Sequence, residues 1–209
     1  MTRSGRTDER TGSRRLPWLL GPVEWAELAA PCDRHVTDPA SRRAVRSRRT
    51  HAPADALYLW LCQLRRAPYS YDWIDNLGRR SPRSPDPTLC APSAGDRFMT
   101  IFTLVDVEPG RSVTLRLRPG PPTRLFGEVV LTYTIEERHG LRHLVAAVWF
   151  GRPGRLAPRL RRLLLVWGDA AMMDRQLRTL CRLAEASASS SSTAGPERGA
   201  SPIDPGDPR

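Results

Sequence analysis

A chain of 209 residues with a formal net charge of +11 and no lysine fits one ordinary domain with tails, since domains commonly run to about 100–200 residues. Arginine alone carries the positive excess; a nucleic-acid binder usually mixes lysine with arginine or clusters them on one element, so scattered, solvated arginines are favoured over a phosphate-binding face. Cys32, Cys62, Cys90 and Cys181 form no Cys-x-x-Cys pair, and a chain of this size needs no disulfide scaffold, so they read as reduced thiols of a cytoplasmic protein. No run reaches the ~20 apolar residues of a membrane span. The stretch "SRRLPWLL" carries twin arginines, but Gly21 and Pro22 end its apolar run and Glu24 and Glu27 follow, too short and too acidic for an export signal.

In chain order, residues 1–15 and 187–209 are polar and low in complexity, and are expected to be disordered tails. Residues 16–40 carry Trp18, Leu19, Leu20, Trp25 and Leu28 and are expected as an arm packed on the domain, which spans 41–186. A first strand is predicted over 42–50. Pro53 then opens an amphipathic helix with Leu57, Trp60, Leu61 and Leu64 on one face, ending near Arg66. Pro68 suits the start of a second short helix, 68–77, with Gly78 as its stop.

From 97 onward the period becomes two. "RFMTIFTLVDV" (97–107), "SVTLRLR" (112–118), "EVVLTYTIEE" (128–137) and "RHLVAAVWF" (142–150) predict an antiparallel meander, with turns at "EPG" and "RHG". In the second of these, Val113, Leu115 and Leu117 share one face, while Ser112, Thr114, Arg116 and Arg118 share a wet one. Leu156, Leu160, Leu163, Leu164, Trp167, Ala170, Ala171, Leu177, Leu180 and Ala184 then repeat at three and four, predicting a long helix over about 156–185. The fold class is therefore α+β: a curved antiparallel sheet wrapped around a long C-terminal helix, with two short helices after the first strand.

This order, with "APADALYLWLCQLRRAPYSYDWIDNLGRRSPR", "GDRFMTIFTLVDVEPG" and "LLLVWGDAAMMDRQLRTLCRLAE", resembles the SRPBCC superfamily of helix-grip proteins, which includes START-type lipid carriers and aromatase/cyclase-like proteins, and within it a bacterial subgroup. The resemblance covers roughly residues 41–186. It implies the helix-grip fold and a hydrophobic ligand cavity, and fold alone does not give function.

Candidate ligand-lining residues are Tyr69, Tyr71, Trp73 and Asn76 from the second helix, Tyr133 from a strand, and Trp167, Met172 and Met173 from the long helix. The aromatics either edge a cavity mouth or bury their bodies in the core; the methionines either adapt to a ligand or fill space. Asp72 and Asp75 lie beside Arg65, Arg66, Arg79 and Arg80 and are read as structural ion pairs rather than an acid–base couple. Gly168 in mid-helix suggests a close approach by the second helix or its loop, with Asp169 pairing with Arg79, Arg80 or Arg83. His139 and His143 flank a turn with no acid or cysteine to complete a zinc set; no metal and no cofactor is expected, and no catalytic triad is present. Ser81 and Ser84 precede prolines, as phosphorylation sites or as simple loop residues.

These features lead to a protein that binds a hydrophobic small molecule, lipid or polyketide-like, between the sheet and the long helix. The alternative is a cyclase or hydratase-type enzyme acting on such a molecule, with Tyr69, Tyr71, Asp72 or Tyr133 moving the proton; nucleic acid is a disfavoured partner. Oligomeric state is open.

Overall fold

A computed structural model describes residues 19–20, 30–70, 80–151 and 159–193, with the side chains of 19–20, 125–126, 159–169 and 191–193 outside the description. Its strands are β1 (Leu19–Leu20), β2 (Arg42–Thr50), β3 (Arg97–Phe98), β4 (Phe102–Glu108), β5 (Ser112–Leu117), β6 (Val129–Arg138) and β7 (Leu141–Phe150). The helices are α1 (Ala54–Cys62), α2 (Pro121–Phe126) and α3 (Arg159–Thr193). One sheet holds all the strands in the order β1-β2-β7-β6-β5-β4-β3. Every pairing is antiparallel except the short parallel one of β1 with β2. With α3 packed against α1 and β2, this is the α+β helix-grip architecture expected from the sequence.

The inner face of the sheet is built as the alternation predicts. Val113, Leu115 and Leu117 of β5, Val129, Leu131, Tyr133 and Ile135 of β6, and Leu144, Ala146 and Val148 of β7 join Leu57, Trp60, Leu61 and Leu64 of the first helical segment in one core. From α3, Met173, Leu177, Leu180, Cys181 and Ala184 close it. Their spacing of three and four is the apolar stripe of an amphipathic helix. The turn between β6 and β7 places His139 and Gly140 at φ 52° and 70°, the left-handed pair of a two-residue hairpin turn.

The other face of β5 is not wet. Ser112 and Thr114 are buried because a 3-10 turn, Pro31–His35, lies over that side of the sheet. Cys32, Val45, Val130, Val145 and Ala147 form a second small core beneath it. Thr114 and Thr132 satisfy each other across the strands at 2.8 Å. Asp33 ties the turn down: its carboxylate accepts the Trp149 indole N–H at 2.7 Å and the Ala30 amide at 2.8 Å, with the Arg43 guanidinium 3.8 Å away. Arg116 donates to the His35 carbonyl at 2.6 Å.

Three local expectations are corrected. The helix predicted from Pro68 does not start there, since 67–70 is irregular and Tyr69 adopts φ 54°. The carbonyls of Pro68 and Ser70 are taken by Gln176 and Arg175 of α3, so tertiary hydrogen bonds replace helical ones; residues 71–79 lie outside the described part. The strand predicted over 97–107 is broken, with Met99 and Thr100 at φ 44° and 66° between β3 and β4. Finally, α3 runs to Thr193 rather than giving way to a tail at 187. Its serines bond back to the preceding turn, Ser187 to Leu183 at 2.5 Å and Ser189 to Glu185 at 2.9 Å, which is how serine is tolerated inside a helix.

The far end of α3 is fastened to β2 by Glu185, whose carboxylate accepts the Thr50 hydroxyl at 2.6 Å and the His51 amide at 3.1 Å. The Thr50 hydrogen bond, then the His51 amide and the charges of His51 and Arg48, hold this carboxyl below the usual glutamate range against the opposing effect of burial. Because the folded value is depressed, the ionised form contributes stability that is present above the ordinary glutamate pKa of about 4.3 and lost as pH falls through the folded value. Glu185→Gln should flatten that acid limb of the stability profile, read as urea midpoints between neutral pH and pH ~3; an unchanged limb would show that the contact does not contribute.

Candidate functional site

At the centre of the sheet–helix interface, the phenol of Tyr133 meets α3. Its hydroxyl donates to the Gln176 side-chain carbonyl and lies 3.5 Å from the Met173 sulfur. The amide nitrogen of Gln176 donates to the Pro68 carbonyl and approaches the Met99 sulfur at 3.3 Å. One glutamine thus joins a strand, the long helix and two loops. Tyr133 and Gln176 are both buried, and the residues around them are aliphatic side chains and two adaptable thioethers.

The loops that reach Gln176 carry the backbone strain. Tyr69 follows Pro68, and Met99 and Thr100 begin the turn after β3, all at positive φ. Such a conformation in a non-glycine residue costs of order 1–3 kcal/mol, and it is a sharper anomaly for a β-branched residue such as Thr100. Strain of this kind persists where surrounding contacts over-determine it, and it clusters at ligand clamps and switch regions. Here the contacts are visible: Met99 N–H donates to the Leu64 carbonyl at 2.8 Å, and Arg175 donates to the Ser70 carbonyl at 2.9 Å.

Arg46 belongs to the same face. Its partner across β7 is Ala146, which in turn pairs with Tyr133 of β6. At about 4.8 Å per strand step, Arg46 stands about 10 Å from Tyr133 along one row. It is only 1% exposed. It lies on the strand that packs against the long helix.

The predicted lining residues are distributed as follows. Tyr133 and Met173 meet at the interface, and Met172 is half-buried one position away. Tyr69 is buried and stands edge-on to Trp60, ring centroids 5.8 Å apart at 85°; its ring is part of the core cluster. Tyr71, Trp73 and Asn76 lie outside the described residues, as do Asp72, Asp75 and Arg79 and the side chains of Trp167 and Asp169. Arg80 is exposed. The corner at 67–70 is fastened to α3 through its backbone carbonyls, by Arg175 and Gln176.

Gln176 and Arg46 are the residues that sequence reasoning missed. A single glutamine among the arginines of an amphipathic helix has the pattern of a surface residue. Arg46 is embedded in "RRAVRSRRT", where arginine occupies both faces, so alternation gave no sign of which one turns inward.

Elsewhere several arginines are ion-paired: Arg65 with Asp96 at 3.2 Å, Arg111 with Glu108 at 3.2 Å, Arg142 with Glu137 at 3.0 Å, and Arg34 and Arg178 with Asp106 and Asp174. A groove of about 450 Å3 at the far end of α3 is lined by His51, Ala52, Glu185, Ala188 and Ser189. It holds no Phe, Tyr or Trp side chain, and its carboxylate is already engaged by Thr50 and His51. Among the described residues, no helix is long and apolar enough to cross a membrane, and no cluster of three potential metal ligands occurs.

No protein-family model matches the chain, and no curated protein matches its sequence. Solved structures that match include a protein from Mesorhizobium loti, 18% identical with a TM-score of 0.43, over 69% of this chain and 98% of that one. The di-domain ARO/CYC StfQ from the steffimycin biosynthetic pathway is 15% identical with a TM-score of 0.46, over 71% of this chain and 52% of that one. The Zhui aromatase/cyclase of a Streptomyces species is 15% identical with a TM-score of 0.45, over 69% and 94%. Such likenesses carry no information about ligand or reaction.

Proposed function

We propose that this chain binds a hydrophobic small molecule between the inner face of the sheet and α3, with the Tyr133–Gln176 pair as its polar anchor. The observation that carries the reading is the convergence on Gln176 of two strained loops, at Tyr69 and at Met99–Thr100, beside a buried phenol in an otherwise apolar interior. Apolar surface removed from water stabilises a bound molecule by ~25 cal/mol per Å². Affinity then comes from burial, and orientation from one hydrogen bond. The phenol would release Gln176 and donate to an oxygen of the ligand. Lipids and polyketide-like molecules have this chemistry, an extended apolar body with few oxygens.

Native mass spectrometry of protein purified from its own host tests the reading. The expected spectrum shows a non-covalent adduct that is displaced by organic solvent, and Tyr133→Phe is expected to retain the fold and lose most of the adduct. A chain that is empty from its own host, and whose melting temperature stays fixed across a panel of fatty acids and aromatic polyketides, would reject the proposal.

The enzyme reading draws support from Tyr69 and Tyr133, the two predicted proton donors among the described residues, whose hydroxyls are both buried. If Tyr69→Phe and Tyr133→Phe both leave turnover of a polyketide-like substrate unchanged, neither phenol is its proton donor.

A further inference from the structure

Two cysteines that the sequence separates are brought together at the edge of the core. Cys62 is the last residue of α1 and is wholly buried. Cys90 is the last residue of a 3-10 turn, Pro87–Cys90, and is half-exposed where it packs against the core cluster that contains Cys62. The turn is held against the helix end by a two-way clasp: the Gln63 amide donates to the Asp86 carbonyl at 3.0 Å, and the Asp86 amide donates to the Gln63 side-chain oxygen at 3.0 Å. Asp86 in turn caps the 3-10 turn by accepting the Thr88 amide at 3.0 Å. The residue after Cys62 and the turn before Cys90 thus hold the two cysteine-bearing segments against each other.

We propose that Cys62 and Cys90 form a redox-modification site, a dithiol that closes to a disulfide on exposure to a peroxide. Cys90, the less buried of the two residues, is the one a small oxidant reaches first. Peroxide transfers one oxygen to it, giving a sulfenic acid with water as the reduced product. The Cys62 sulfur then attacks the Cys90 sulfur, forming the S–S bond, while the Cys62 proton leaves with the hydroxyl as a second water. Two thiols lose two electrons and the peroxide gains them.

The electrostatics assign the order of events. Burial, and then the neighbouring Cys90 sulfur, push the Cys62 thiol up to about 12, so Cys62 is not the thiol first oxidised, and it gives up its proton as its sulfur attacks Cys90. Cys32 and Cys181 are buried elsewhere and are each pushed up to about 11, chiefly by that burial. They are expected to be bystanders.

The linkage would join the two ends of segment 63–89, which includes the Pro68–Ser70 corner held by Gln176 and Arg175. Oxidation would thus restrain one of the two loops that meet at the Tyr133–Gln176 pair, without needing that pair to bind anything.

Purified protein of residues 1–209 treated with stoichiometric hydrogen peroxide, then mapped by differential alkylation and peptide mass spectrometry, decides the matter. The expected result is loss of two thiols per monomer, a linked peptide pair containing Cys62 and Cys90, full reversal by dithiothreitol, and Cys32 and Cys181 alkylated only after unfolding. Cys90→Ser, at the half-exposed position, should fold and lose no thiol at the same dose. A linkage involving Cys32 or Cys181, a disulfide between chains, irreversible oxidation of Cys90 with Cys62 still free, or no thiol loss at all would each overturn the proposal.

Discussion

Trp60→Ala should lower the unfolding free energy by about 4 kcal/mol, within the range for deleting a large buried aromatic side chain. Trp60 is 1% exposed and among the largest fully buried side chains of the protein. Its loss removes packing at the junction of α1, α3 and the Tyr69 corner. The ring stands edge-on to Tyr69 at 5.8 Å, a geometry that adds about 0.5–1.5 kcal/mol beyond area burial. Its indole N–H donates to the Ser187 hydroxyl at 2.7 Å. Because α3 covers much of the sheet only through its own apolar stripe, removing this anchor near its C-terminal half weakens the whole grip. Trp60→Phe separates the contributions: it keeps a ring in the cavity and gives up the hydrogen bond, and is expected to cost about 1–2 kcal/mol. Chemical denaturation with an unchanged m-value measures both. An alanine variant within about 1 kcal/mol of the parent would mean that α1 and α3 are not coupled through this residue.

The strands were legible because half-buried strands must alternate, and these do. In "SVTLRL" the apolar positions Val113, Leu115 and Leu117 are those found in the core, and β2 occupies the predicted 42–50 despite its arginines. The error at Ser112 and Thr114 has a definite cause. Polarity was equated with water, but a covered face can bury hydroxyls when they pair across strands, as Thr114 does with Thr132. The covering turn, Pro31–His35, has no periodicity to announce it; it is held by Asp33 and Trp149, more than a hundred positions apart.

The site was legible only in part, for a related reason. Tyr133 follows from the alternation of β6, and Met173 from the spacing of α3. Gln176 does not follow from either, because its role is defined by partners at 68, 99 and 133 that no local pattern joins. The Tyr69 corner failed on the same point: Pro68 is a sound helix start locally, yet two side chains of α3 take the carbonyls that a helix would have used. Local rules settled the elements. Long-range hydrogen bonds settled where the elements stop.

Gln176→Leu puts that conclusion to the test with the second large effect. Leucine preserves the bulk but leaves the Pro68 carbonyl without its donor and the Tyr133 phenol without its strongest acceptor, two buried groups at about 1–3 kcal/mol each. A destabilisation of about 3 kcal/mol is expected. Tyr133→Phe removes one hydroxyl and orphans only the Gln176 oxygen, for about 1–2 kcal/mol. The two changes are not additive, because the pair shares one hydrogen bond. In the double variant neither the phenol nor the glutamine oxygen remains to be left unsatisfied. The double variant should therefore be more stable than the sum of the single losses predicts, by about 1 kcal/mol or more, measured as a coupling energy from urea unfolding of all four proteins. Additive losses would mean that Tyr133 and Gln176 do not act as one unit, and the anchor assigned to them would then have no physical basis. A coupled pair that also loses its adduct in either single variant would join the stability network to the ligand, since the hydrogen bond that joins β6 to α3 is the one a ligand oxygen must replace.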